Sequence, residues 1–115
     1  MIISRNEAIL LCKSFPGVVE DYPFGDDHAV MRHMANRKMF ALICVRDETV
    51  WMNLKAEPEH VVAYQAKYAS VVPAYHMNKK HWVSVILDGS IDSEALRELV
   101  AESYALTAPR VRRRE

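Results

Sequence analysis

The sequence predicts an α+β domain with two layers, in which helices pack on one face of an antiparallel β-sheet in the order αβββαβα. Three observations predict this class. Apolar residues recur with helical spacing near both ends and in the middle of the chain, four other segments have strand-like patterns, and the first three of these are joined by connections too short for parallel strands. With 115 residues, half of them apolar, the chain suits one domain with its own core.

The three predicted helices span residues 4–14, 58–68 and 92–106, and each begins with a recognised start signal. In the first helix, Ser4 and Glu7 form a capping-box pattern that satisfies free N–H groups of the opening turn. The second helix has a proline at its first position, and the third follows an aspartate that can cap it. In each segment the apolar residues fall on one side, which indicates a helix that packs against a sheet.

The predicted strands alternate between two faces, with one exception. In "TVWMNLK" (49–55) and "HWVSVILD" (81–88) apolar residues occupy every second position, whereas "MFALICV" (39–45) is apolar on both faces. A strand without a polar face belongs inside a sheet, so we expect 39–45 to be interior. The remaining strand is "HAVMRHM" (28–34), and the short segments "ANRK" and "RDE" are predicted turns.

If helices cover one face of the sheet, the strand alternation predicts a mixed aromatic and polar surface on the other. Its residues are Trp51, Asn53, Lys55, Trp82 and Ser84. Such a surface is typical of a contact site, which gives one functional hypothesis: a small-molecule or protein-interaction module. The alternative is that loops or a second subunit cover the two tryptophans.

The stretch "YHMNKKHW" (75–82) carries the densest set of polar and aromatic side chains in the chain. Lysines can neutralise phosphates, an asparagine can bond a phosphate or a base edge, and aromatic rings can stack on bases. A second basic turn lies in "RHMANRK" (32–38). The two turns together give the leading hypothesis, weak DNA binding through two basic hairpin turns. The predicted contacts are Arg32, Arg37, Lys38, Lys55, Tyr75, His76, Asn78, Lys79, Lys80 and Trp82. The alternative is an ordinary polar turn that leads into a strand.

Other classes of function find little support in the sequence. No phosphate-binding glycine loop, nucleophile motif or metalloprotease signature occurs, so we expect no enzyme activity, no catalytic residue and no cofactor. Two histidine pairs, His28 with His33 and His76 with His81, are each five residues apart. This spacing aligns the two side chains on neither a strand nor a helix, so we expect no metal. Cys12 and Cys44 lie among apolar residues, as reduced thiols of a cytoplasmic protein do. No run of about 18 apolar residues predicts a membrane span.

Charge is balanced overall but unevenly placed. The chain carries 15 basic and 15 acidic residues, and its last six residues, "RVRRRE", contain four arginines and one glutamate. Residues 1–109 are therefore predicted to form a slightly acidic domain, and residues 110–115 a basic tail. Such a tail would add non-specific attraction to nucleic acid without setting specificity. The sequence leaves the ligand and the oligomeric state open.

Several stretches, in order along nearly the whole chain, resemble the MmcQ/YjbR family of small bacterial proteins. They are "FPGVVEDYPFGDD" (15–27), "KMFALI" (38–43), "NLKAEP" (53–58), "YHMNKKHW" (75–82), "LDGSID" (87–92) and "ESYAL" (102–106). The resemblance implies a CyaY-like α+β fold, the architecture of frataxin-type proteins. It also implies the DNA-binding role proposed for that family, in which two β-hairpins act as a double wing.

Overall fold

The computed structural model describes residues 2–109 and contains three helices and six strands within them. The helices are α1 (Arg5–Lys13), α2 (Pro58–Lys67) and α3 (Ser93–Thr107). The strands are β1 (Val18–Asp21), β2 (Ala29–His33), β3 (Met39–Arg46), β4 (Thr49–Lys55), β5 (Val71–Pro73) and β6 (Trp82–Ile86). The predicted basic tail, 110–115, lies outside the described residues.

All six strands form one antiparallel sheet in the order β1-β2-β3-β4-β6-β5. The predicted α+β class is confirmed, and β3 is interior as its two apolar faces indicated. The sheet contains two edge strands that the predicted order αβββαβα lacks. β1 has four residues that are all partly exposed, and β5 has three residues and ends at a proline. Both strands are too short for their sequences to show the alternation of apolar and polar residues that marks a strand.

The main core lies between the sheet and the three helices. On this helix face, Met52 and Leu54 of β4 pair with Val85 and Val83 of β6, and all four are buried. Apolar residues of α1, α2 and α3 join the same cluster. The predicted capping box is present, since Ser4 and Glu7 each bond the other's backbone at the start of α1.

A buried serine fixes α3 to the sheet where the ladder between β3 and β4 ends. The hydroxyl of Ser103 donates to the carbonyl of Phe40 at 2.5 Å and accepts from the N–H of Lys55 at 2.8 Å. At the end of the same helix, Oγ1 of Thr107 lies 2.9 Å from Nε2 of the buried His33. These bonds hold the C-terminal end of α3 beside the turn between β2 and β3.

The opposite face of the sheet, here called the open face, carries a continuous row of side chains across four strands. The register pairs Val30 with Leu42, Leu42 with Asn53, and Asn53 with Ser84. No helix packs on this face in the described chain, but the connections 22–28 and 74–77 fold over part of it. Val30, Asn53 and Ser84 are consequently buried although they lie outside the helix-face core.

Candidate ligand site on the open face

Between these two connections lies a cavity of about 480 Å³, here called the open-face cavity. It is bounded below by β3 and β4 and at the sides by the two connections. Its walls are predominantly apolar and aromatic, with a few polar groups. The lining residues are Phe24, His28, Leu42, Cys44, Val45, Arg46, Asn53, Tyr75, His76 and Met77.

Polar residues in the middle of β4 and β6 hold one wall of the cavity in place. Asn53 donates through Nδ2 to the carbonyl of Tyr75 at 3.1 Å, and the N–H of Tyr75 donates to Oγ of Ser84 at 2.9 Å. The Ser84 hydroxyl in turn donates to Oδ1 of Asn53 at 2.5 Å. Because both side chains are buried and use these bonds to satisfy each other, they act as a floor for the 74–77 connection rather than as free contact groups.

Arg46 forms a cationic corner of the cavity. Its guanidinium carbon lies 4.2 Å from the ring centroid of Trp51 and 3.6 Å from that of Tyr75, so the group packs against both rings. Cation–π contacts of this kind use no N–H donor, so they leave the hydrogen-bonding capacity of the guanidinium unused. Arg46 makes no ion pair and no side-chain hydrogen bond with any residue in 2–109.

The remaining lining residues give the cavity a positive or neutral character. No aspartate or glutamate lines it, and Nδ1 of His28 is buried without a hydrogen-bond partner in the described chain. His76 at the rim adopts a left-handed backbone conformation, with φ of 60°. Burial raises the pKa of the Cys44 thiol, so this cysteine is a neutral wall residue at physiological pH.

The structure places the predicted groove residues on the open face, but it does not leave them equally accessible. Trp51 joins the Arg46 stack, and Lys55 and Trp82 face each other, partly exposed, at one end of β4 and β6. Asn53 and Ser84 are only 4% and 0% exposed because the 74–77 connection covers them. Part of the predicted contact surface is therefore a buried network.

The stretch "YHMNKKHW" divides into two parts with different surroundings. Tyr75 and His76, with ring centroids 3.9 Å apart, belong to the cavity wall. Asn78 instead closes a turn. Its side chain accepts from the N–H of Lys80, and its carbonyl accepts from the N–H groups of His81 and Trp82. Lys79 and Lys80 are exposed on that turn and, unlike the aromatic pair, do not line the cavity.

The other predicted basic contacts lie at the same end of the sheet as Lys79 and Lys80. Antiparallel pairing brings the β2–β3 turn, the end of β4 and the start of β6 to this end, here called the basic end. Its exposed or partly exposed cations are Arg37, Lys38, Lys55, Lys79 and Lys80. Arg32 is committed to the fold, because it pairs with Asp21 at 2.8 Å and donates to the carbonyl of Arg37 at 3.0 Å.

Metal-ligand geometry does not occur in the part of the chain that the structure describes. Within residues 2–109, no group of three or more histidine, cysteine or carboxylate side chains is placed to hold an ion. In β1, Glu20 accepts from Lys13 and Tyr22, and Asp21 accepts from Arg32. These two carboxylates are therefore already bonded within the fold.

Seven lining residues were not identified from the sequence. They are Phe24, His28, Leu42, Cys44, Val45, Arg46 and, from within the recognised stretch, Met77. Alternation along β3 contained a signal for three of them, because Leu42, Cys44 and Arg46 share the face that pairs with Asn53 and Trp51. Phe24 and His28 reach the cavity through loop geometry, which no period predicts.

Comparison with known proteins gives consistent matches. The family model described as YjbR matches residues 13–106. YbdF of Escherichia coli O157:H7 is 33% identical over 91% of this chain and 84% of its own length, and YyaQ of Bacillus subtilis is 27% identical over 92% and 99%. A crystal structure of a Pseudomonas syringae protein superposes with a TM-score of 0.80 at 31% identity, covering 91% of this chain and 99% of that one. A Deinococcus radiodurans protein gives 0.79 at 34%, covering 90% and 78%. None of the described helices is both long and apolar enough to cross a membrane.

Proposed function

This chain belongs to the YjbR family, and we propose that it is a binding module whose small-molecule ligand occupies the open-face cavity. The observation that carries the proposal is the cavity itself, which combines apolar walls with a stacked, otherwise unpaired arginine. Ligand sites in proteins are concave and mostly apolar, usually between about 300 and 1,000 Å³, with a few polar groups that orient the ligand. The open-face cavity has each of these features.

The hydrogen-bonded wall of the cavity supports the same function. The bonds among Asn53, Ser84 and the backbone of Tyr75 fix one wall and leave the guanidinium of Arg46 unused. A wall that is already ordered lowers the entropy cost of binding, because fewer side chains must be immobilised by the ligand. An ordered wall beside an unpaired Arg46 is the arrangement expected of a preformed site.

The test is a screen of small fragments by amide and side-chain NMR on the ¹⁵N-labelled protein. We expect hits to shift the signals of Trp51, Tyr75 and Met77 and to leave the basic end unchanged. Leu42→Trp, which fills the cavity from β3, should abolish these shifts, whereas Val72→Trp, on the same face of β5 but outside the cavity, should not. Hits that scatter over the surface, or that survive Leu42→Trp in a folded protein, would overturn the proposal.

Weak DNA binding is a second candidate function, favoured by the gathering of five cations at the basic end. Arg32 is already paired with Asp21, so the candidate phosphate contacts are Lys79 and Lys80 with Lys55 or Lys38. Acidic residues begin α2 just after Lys55, and the net charge is zero. The positive surface is therefore narrow, and binding should be weak and strongly dependent on salt.

Salt titration tests this candidate. Three phosphate contacts predict a slope of about −2.7 for log K against log salt, or roughly a fortyfold loss of affinity between 50 and 200 mM. The double variant Lys79→Ala/Lys80→Ala should reduce the slope by nearly two units, while Lys13→Ala on α1 serves as the control. A wild-type protein that binds labelled DNA with no salt dependence, or not at all at low salt, would remove the candidate.

A further inference from the structure

We propose that the ligand of the open-face cavity is a planar aromatic carboxylate, a class of compound that the cavity selects through Arg46. This inference rests on the proposed function and adds the chemistry of the ligand to it. Three observations carry it: the stacked guanidinium with free donors, the absence of acidic lining residues, and the apolar walls around it.

The guanidinium of Arg46 is held in place before any ligand arrives. Contact with both Trp51 and Tyr75, whose centroids are 6.5 Å apart, restrains its position between the two rings. A guanidinium has five N–H donors in its own plane, and its fork matches the two oxygens of a carboxylate. Because Arg46 has no carboxylate partner among the described residues, an anion in the cavity would supply the missing acceptor.

The charge of the ligand follows from the lining. Arg46 is the one lining residue with a permanent positive charge among the ten, and no lysine stands beside it. One cation balances a monoanion, whereas a phosphate dianion would leave an unpaired charge in apolar surroundings. Asp47 and Glu48, which follow Arg46, are exposed in the β3–β4 turn and do not line the cavity.

The shape of the ligand follows from the walls. Phe24, Leu42 and Met77 present apolar surface, and Tyr75 presents an aromatic ring beside Arg46. A flat ring system gains contact with such walls while its carboxylate reaches the guanidinium.

The experiment compares two probes of the same shape, 2-naphthoate and its neutral amide, 2-naphthamide, by NMR titration of the full chain. We expect 2-naphthoate to shift the Arg46 Nε–H and Trp51 Nε1–H signals and to bind at least tenfold more tightly than 2-naphthamide, which lacks the charge-assisted pair. Arg46→Gln should remove that preference, Arg46→Lys should keep part of it, and Arg37→Gln at the basic end should leave it unchanged.

The outcomes separate this inference from the function it rests on. Equal affinity for both probes at the cavity would overturn the carboxylate assignment and leave a ligand-binding cavity in place. Binding of 2-naphthoate elsewhere, such as at the basic end, would also overturn it. A cavity that takes neither probe nor any fragment would overturn the proposed function as well. The wild-type comparison decides the question even if an Arg46 variant fails to fold.

Discussion

The contact between α2 and α3 depends on one carboxylate, and removing its charge should destabilise the protein measurably. Glu102 on α3 accepts hydrogen bonds from the backbone N–H of Glu57 at 2.8 Å, from Nδ1 of His60 at 3.1 Å and from the hydroxyl of Tyr64. Its side chain is only 16% exposed. Burial raises the pKa of the Glu102 carboxyl, but the three hydrogen bonds outweigh burial, and the pKa is lowered.

Glu102→Gln keeps the shape of the side chain and replaces one acceptor oxygen with an NH₂ group that faces a donor. A hydrogen bond to a charged group contributes about 1.5–3 kcal/mol, and at least one is lost. We therefore expect the free energy of unfolding to fall by about 2–3 kcal/mol, a large part of the stability of a small domain. The assay is urea unfolding followed by circular dichroism at neutral pH, with Glu98→Gln, on an exposed turn of the same helix, as the control.

The same substitution should change how stability depends on pH. Because the folded pKa of Glu102 is lowered, its contribution is present above the unfolded value of about 4.3 and is lost as pH falls through the folded pKa. The hydrogen bond from His60 to Glu102 raises the pKa of the imidazole, so that contribution is present below about 6.5 and is lost as pH rises through the folded pKa. Glu102→Gln should therefore weaken the dependence of the unfolding free energy on pH in both ranges. A loss of unfolding free energy under about 0.5 kcal/mol, or a stability profile against pH parallel to that of the wild type, would refute this account of Glu102.

Three further predictions concern the core, the basic turn and a thiol. Met52→Ala, at a fully buried site, should cost about 2–5 kcal/mol in urea unfolding, and Leu42→Ala, at the partly exposed cavity wall, should cost less; equal losses would contradict the two-face assignment of β3 and β4. Lys79→Ala should change stability by less than about 0.5 kcal/mol, and a greater loss would make that side chain structural. Burial raises the pKa of Cys12 to about 12, so a thiol reagent should label it only on unfolding.

The fold was largely predictable because its long elements carry strong patterns. The apolar spacing and start signals of the helices, and the alternation of β4 and β6, give the same elements in the structure within a few residues. The face assignment of β3 was not predictable in the same way. Leu42 and Ile43 look alike in sequence, yet Ile43 is fully buried in the helix-face core and Leu42 lines the cavity. Apolar residues on both faces indicate that both faces are covered, and they do not say by what.

The candidate site was less predictable because it is assembled by loops. Tyr75 and Trp51 were recognised as aromatic contact residues, but Arg46, which the structure places against both rings, was assigned to the edge of a turn. The stacking requires the 74–77 connection to fold back over the sheet. Local patterns do not encode that reversal, since it depends on partners more than 20 residues away in sequence, such as Asn53 with Tyr75.

The reversal itself has a physical cause that the sequence does contain. Eight residues join β5 to β6, although antiparallel neighbours can be joined by two, so the excess chain must lie on some surface. Asn53 and Ser84 stand opposite each other at the centre of the open face, where polar side chains without partners are costly once anything covers them. The backbone of Tyr75 provides those partners. The polar pair at the centre of the open face is thus satisfied by the chain that covers it, and the cover creates the cavity.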